Sequence, residues 1–319
     1  MSHPWIRPAL AAAFALLVAG CGGQGDQPAA APDPGPPADA PRPGPPPGGE
    51  GCPTGFSSPV DKVLLRARSA DGVSWERIPD VLARGASSPQ LFSFDGERWV
   101  IYVVDGEHLA RIPFGGGESE RIHVEGAARG WQVDPHVVQL PDGGYRLYYI
   151  HPPEKVDPGV LPENTVHSAR SADGIRWERE PGVRIADELV DPDVVALPDG
   201  RWRMYVTRRT TFVYSALSAD GLTFVKEDGL CLQGGGVTST MADGEGWRMF
   251  LHQPTLPPTK LLTATSADGR TFALGAEPVL APEPDGPDRC GLESPSVLRD
   301  DEGWWMVYAT VPTTSGAAE

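Results

Sequence analysis

The chain has 319 residues, with 27 Lys and Arg against 43 Asp and Glu, a formal net charge of −16 at pH 7. A surplus of that size repels phosphate and excludes a nucleic-acid partner, leaving cations and neutral polymers. With 38 Gly and 35 Pro, long uninterrupted helices are disfavoured throughout.

In chain order, Arg7 gives a short basic start, and Ala9–Ala19 is an apolar run too short to span a bilayer as a mature helix. "LVAGC", Leu17–Cys21, then resembles the lipobox of bacterial lipoprotein signal peptides. The resemblance implies a signal peptide over 1–20, cleaved ahead of Cys21, and lipid attachment to the Cys21 sulfur. The expectation is an exported protein of the bacterial cell envelope, touching the membrane through this anchor alone. Gly22 stands where an inner-membrane retention Asp would, which favours the outer membrane in a cell with two membranes. Residues 21–51 hold the lipid cysteine and a tether. Ten prolines fall between Pro28 and Pro47, with no aromatic or β-branched residue, so the stretch cannot bury enough apolar surface to order itself. Residues 52–319 are long enough for a sizeable core and are assigned to one folded domain, expected to be monomeric.

From residue 63 onward two sequence units alternate. One is a box: "SADGVSW" (69–75), "SADGIRW" (171–177), "SADGLTF" (218–224) and "SADGRTF" (266–272). An apolar strand-like run precedes each box, and the Asp-Gly turn leads into a second short strand, which reads as a β-hairpin. The box aspartates Asp71, Asp173, Asp220 and Asp268 are spaced by 102, 47 and 48 residues. The first interval is double, and the drifted stretch 113–126 fills the gap. The second unit is an apolar strand, an acidic-Gly turn and an aromatic-rich strand, found at 87–104, 134–150, 191–207, 238–253 and 293–310. Five such phrases and five boxes make five four-stranded units of about 50 residues, the signature of a β-propeller. The chain opens on a box without a phrase and closes on a phrase without a box. Pairing the two completes the last blade from both termini. The fold class predicted is therefore all-β: a five-bladed β-propeller with four-stranded blades.

The box resembles the Asp-box of sialidases, although that box carries an extra residue between Asp and Gly. The residues themselves predict a structural role, with each aspartate capping its turn and each box aromatic packing between blades. Chemistry is expected instead where the first strands of the blades converge on the central channel. Their heads are Ser87/Ser88, Asp134, Asp191 with Asp193, Thr238/Ser239 and Glu293. Carboxyl groups crowded into one funnel repel one another, so one keeps its proton while another ionises. Glycoside cleavage needs such a pair.

"DPHV" at Asp134, "PDV" at Asp193 and "ESPSV" at Glu293 resemble the acid-Pro steps of the five-bladed propeller glycoside hydrolases and their relatives. These are the arabinanases and β-xylosidases, invertases and levansucrases, and mannoside phosphorylases. The likeness spans residues 60–310 in architecture and three to five residues per motif. It implies a glycan substrate, Asp134 as general base, Glu293 as general acid, and Asp191 or Asp193 as the residue that tunes the acid. In the arabinanase-like families the three acids come from successive blades. Here a blade beginning "TST" separates Asp193 from Glu293, so a propeller that binds glycan or protein without catalysis stands beside the hydrolase. Ser88, His136, Thr238, Ser239 and His252 are the expected substrate contacts. No metal site and no required cofactor is read from the sequence, while the channel leaves room for a cation such as calcium. Of the three cysteines beyond Cys21, Cys231 and Cys290 precede the first strands of neighbouring blades, and a bridge between them is expected near the channel mouth.

Overall fold

A computed structural model describes residues 52, 61–127, 132–151, 164–185, 189–208, 211–253 and 259–310. The expected signal peptide, Cys21 and the tether to residue 51 lie outside the described residues. No helix among the described residues is long and apolar enough to cross a membrane.

Five antiparallel sheets form the blades of a propeller. Blade I runs from its inner strand Ala86–Phe94 through Glu97–Val104 and His108–Pro113 to Glu120–Arg121. Blade II is Val133–Gln139, Tyr145–His151, Thr165–Ser171 and Trp177–Ile185, and Val124–Glu125 adds a short parallel edge outside the last strand. Blade III is Val190–Ala196, Trp202–Arg208, Phe212–Ser218 and Val225–Lys226. Blade IV is Gly236–Asp243, Gly246–His252, Leu261–Ser266 and Ala273–Leu274. Blade V takes its inner strands Leu292–Asp300 and Gly303–Thr310 from the C-terminal end, and its outer strands Val63–Ser69 and Glu76–Arg84 from the N-terminal end. The ring is thus closed by both ends of the chain, as the opening box and the closing phrase require. Val63–Ser69 pairs with Trp304–Thr310 over seven consecutive residues.

The core is divided into five apolar clusters, one between each pair of neighbouring blades. The box aromatics supply a residue to four of them: Trp177, Phe224, Phe272 and the partly buried Trp75. Phe114, in the drifted stretch of blade I, enters the fifth.

The boxes do a second job. In each, the aspartate accepts two backbone N–H groups, as at Asp220, where Leu222 and Thr223 donate at 2.8 and 2.9 Å. The turn carbonyls then accept from the blade before. Arg146 and Tyr148 of blade II donate to Asp220 O and Gly221 O, at 3.0 and 2.8 Å. Arg203 and Tyr205 of blade III donate to Gly269 O at 3.1 and 2.8 Å. Arg248 reaches Gly72 O at 3.0 Å and Arg111 reaches Gly174 O at 3.4 Å. Arg66 of blade V completes the circle on Phe114 O at 2.6 Å. Gly221 has φ +70°, and a Cβ there would stand 2.5 Å from Arg146 Nη1. The Asp-Gly step therefore serves both the left-handed turn and the close approach of the neighbouring guanidinium.

One disulfide joins Cys52 to Cys290 across 238 positions, and Cys231 is free and buried. This corrects the expected Cys231–Cys290 bridge. Cys231 lies in the apolar cluster between blades III and IV, with Leu232, Leu251 and Phe272. Cys290 instead meets the segment that leads into the N-terminal strands of its own blade.

Candidate active site

Every inner strand breaks register at the same place. The shifts fall between Ser87 and Gln90, Val133 and His136, Val190 and Asp193, Gly236 and Ser239, and Glu293 and Ser296. At each bulge one non-glycine residue adopts a left-handed backbone: Ser88, Asp134, Asp191, Val237 and Ser294, with φ of 45° to 54°. A proline follows four of the five. Such conformations cost about 1–3 kcal/mol each and cluster at functional sites. Asp tolerates this region better than most residues, whereas Val does not, so Asp134 and Asp191 suit the bulge locally.

The bulges arrange the channel in two tiers. At the mouth, Ser88, Asp134, Asp191 and Ser294 line a narrow recess of about 40 Å³. Asp134 and Asp191, from adjacent blades, both line this recess, and each bears on the titration of the other. Ser88 Oγ donates to Asp134 Oδ1 at 2.6 Å, and the Thr207 hydroxyl restrains the pKa rise at Asp191. Burial raises both carboxyl pKa values. The rise is larger for Asp191, where the charge of Asp134 adds to it, while Ser88 and Lys62 restrain it at Asp134. Two such groups titrate as a pair.

Glu293 sits one residue ahead of the bulge residue Ser294, which lines the mouth recess. Its Oε2 is ion-paired with Lys62 Nζ, which enters from the residue before Val63. His252, at the end of the second strand of blade IV, accepts the Ser294 N–H on Nδ1 at 3.2 Å. Burial lowers the His252 pKa to about 4, so the ring is neutral at pH 7.

The lower tier is a ring of side chains two residues beyond the bulges, four of them bonding the backbone of the next inner strand and Asp193 a side chain of it. Ser296 Oγ accepts from Leu91 N at 2.8 Å, and Gln90 Oε1 from Val137 N at 3.1 Å. His136 Nε2 donates to Val194 O at 3.0 Å. Ser239 Oγ accepts from Val297 N at 3.0 Å. Asp193 is joined to the next inner strand through a side chain, Thr238 Oγ1 donating to Asp193 Oδ2 at 2.9 Å. Below the ring the channel widens to a second recess of about 440 Å³. Asp193 is 1 % exposed, and burial raises its pKa to about 7. Burial also lowers the His136 pKa to about 4.

Of the expected site residues, the structure gathers Ser88, Asp134 and Asp191 at the mouth, and sets Glu293 and His252 against Ser294, which lines the same recess. It places His136, Asp193 and Ser239 in the blade-joining ring, and Thr238 directly above it. Lys62 was not foreseen from sequence. It carries no motif, and only closure of the last blade brings it to Glu293. Among the described residues no group of three or more His, Cys, Asp or Glu side chains is placed to hold a metal ion.

No model of a protein family matches the sequence, and no curated protein matches it. Solved structures do match in shape. A thermostable family-43 glycoside hydrolase aligns over 70 % of this chain and 83 % of its own, with a TM-score of 0.58 and 12 % identity. The likeness is one of fold. A putative glycoside hydrolase of Parabacteroides distasonis covers 82 % of this chain and 96 % of its own, at TM-score 0.55 and 16 % identity. An exo-1,5-α-L-arabinanase from a bovine ruminal metagenomic library covers 72 % and 89 %, at TM-score 0.50 and 13 % identity. The five-bladed propeller expected from the repeats is thus the architecture of family-43 glycoside hydrolases.

Proposed function

We propose that this chain is a carbohydrate-active propeller that hydrolyses glycosidic bonds of oligo- or polysaccharides at the mouth of its channel. The observation that carries the reading is the Asp134–Asp191 pair: two carboxyl groups on strained positions of adjacent inner strands that line one recess at the channel mouth. Burial raises both carboxyl pKa values, more at Asp191, where the charge of Asp134 adds to it, and a pair of carboxyl groups that differ in this way is what acid/base glycoside cleavage needs. The fold shared with glycoside hydrolases supports the same reading. Neutral Ser88 and His252 are the groups available to hydroxyl-bearing sugars. The lipobox-like Leu17–Cys21 supports a lipid-anchored place at the cell envelope, with the tether holding the propeller clear of the surface.

An observation on the side of a glycan- or protein-binding propeller without catalysis is the small volume of the mouth recess. Reducing-sugar release from a panel of furanosides, pyranosides and plant or bacterial oligosaccharides separates the two. The hydrolase reading predicts turnover by the full-length protein on part of the panel, lost in Asp134→Asn. Binding of a panel glycan that Asp134→Asn leaves intact, without turnover by the parent, supports the binding propeller.

A further inference from the structure

Blade IV breaks the pattern of the channel mouth. The five bulge residues all line the mouth recess, and in chain order they are Ser88, Asp134, Asp191, Val237 and Ser294. Four of them offer a hydroxyl or a carboxyl group, and Ser88 Oγ meets Asp134 Oδ1 at 2.6 Å from one blade to the next. Val237 offers an isopropyl group instead. Its strand lies between the inner strand that carries Asp191 and the one that carries Ser294. It is also the most strained of the five, a β-branched residue at φ +50°. A proline follows each of the other four, but Thr238 follows Val237. The surrounding fold holds it there: Val237 N donates to Thr207 Oγ1 at 3.3 Å, and the strand pairs with Gly246–His252 on both sides of the bulge. Asn, Asp or Gly would adopt this backbone more easily.

We infer that Val237 is a specificity-determining residue of the mouth: its isopropyl group takes the side of a bound sugar that carries only C–H bonds, and it rejects the epimer that turns a hydroxyl toward blade IV. This rests on the hydrolase reading and adds the stereochemical class of its substrate. A sugar ring is polar where its hydroxyls project and apolar where only hydrogens do. In a recess with polar groups on four blades and an alkyl group on the fifth, one orientation of the ring satisfies both kinds of surface. An epimer has the same size and charge. Its turned hydroxyl would be pressed against Val237, out of water and without a hydrogen-bond partner. An apolar contact of this kind discriminates by about 10- to 200-fold.

Epimeric aryl glycosides test the assignment in the full-length protein. For the sugar released in the panel, kcat/KM is compared with that for each of its ring epimers. The parent is expected to reject at least one epimer by about 10- to 200-fold. Val237→Thr keeps the branched shape and adds a hydroxyl, and it should cut that preference by about tenfold or more. Val237→Asn should lose the preference as well while its urea midpoint rises, because Asn tolerates the left-handed backbone. Val73→Thr, at a 59 % exposed apolar position of a box turn, should leave the preference unchanged. A preference that survives in either folded Val237 variant overturns the inference and leaves the hydrolase reading standing. A parent without turnover on any glycoside ends the hydrolase reading, and the same ratios are then taken from dissociation constants by calorimetry. Epimer discrimination in binding that Val237→Thr abolishes would sustain the role of Val237 there. A parent that binds every epimer alike, or none, overturns it.

Discussion

At the residue scale, the two aspartates of the "DPD" step show how position decides chemistry. Asp191 is the bulge residue and opens to the mouth. Asp193, two residues on, points into the blade-joining ring and is nearly sealed from solvent. From sequence both were site candidates, because a strand read without its bulge does not reveal which acid faces the opening. The raised pKa of Asp193 has a consequence for stability. The folded protein holds this proton to about pH 7, whereas an unfolded chain loses it near pH ~3.9. Its contribution is therefore fully present below that lower value and is lost as pH rises toward 7. The ceiling is about 4 kcal/mol, at about 1.36 kcal/mol per pKa unit. Asp193→Asn is accordingly expected to gain stability relative to the parent as pH goes from 4 to 8, by urea titration at each pH. A difference that does not change with pH contradicts the burial account.

At the element scale, the box links blades as well as capping a turn. Its aspartate closes the turn, its aromatic fills the inter-blade cluster, and its carbonyls receive a guanidinium from the previous blade. Arg203, 7 % exposed, joins Glu227 of its own blade to Asp268 and Gly269 of the next. Charged hydrogen bonds of this kind are worth about 1.5–3 kcal/mol each, and the loss leaves buried acceptors bare. Arg203→Ala is expected to cost about 2–4 kcal/mol in denaturant unfolding. Arg201→Ala, two residues away in an exposed pair with Asp199, should cost far less, because solvent screens that pair. Equal costs would show that the inter-blade contact contributes nothing special. The repeated "SADG" made the hairpins legible in the sequence, and the turn-capping role followed from local hydrogen-bonding chemistry. The arginine partners were not legible, because they come from another blade and share no motif. For the same reason the drifted box of blade I could be placed by spacing, while Phe114 O as its acceptor could not.

At the scale of the whole molecule, closure of the ring was legible because the chain begins on half a blade and ends on the other half. What closure brings together was not. Lys62 meets Glu293, and Cys52 meets Cys290, only once both ends lie in blade V. The expected Cys231–Cys290 bridge weighed strand order alone. Burial of Cys231 among Leu232, Leu251 and Phe272 keeps that sulfur from Cys290. A cross-link spanning 238 positions restricts the unfolded chain strongly, worth about 2–5 kcal/mol. Reduction is expected to lower the melting temperature in the parent and to leave a Cys52→Ser, Cys290→Ser variant unmoved. A reductant shift that persists in that variant would place the effect elsewhere.

The central claim is that carboxyl groups at the channel mouth cleave glycosidic bonds, and kcat/KM on a released substrate tests it most directly. It would be measured for the full-length parent, Asp134→Asn and Glu293→Gln, each with its melting temperature recorded. The account predicts a loss of about 10²–10⁴-fold in both variants at near-parent stability. Turnover within a few-fold of the parent in either folded variant would contradict it.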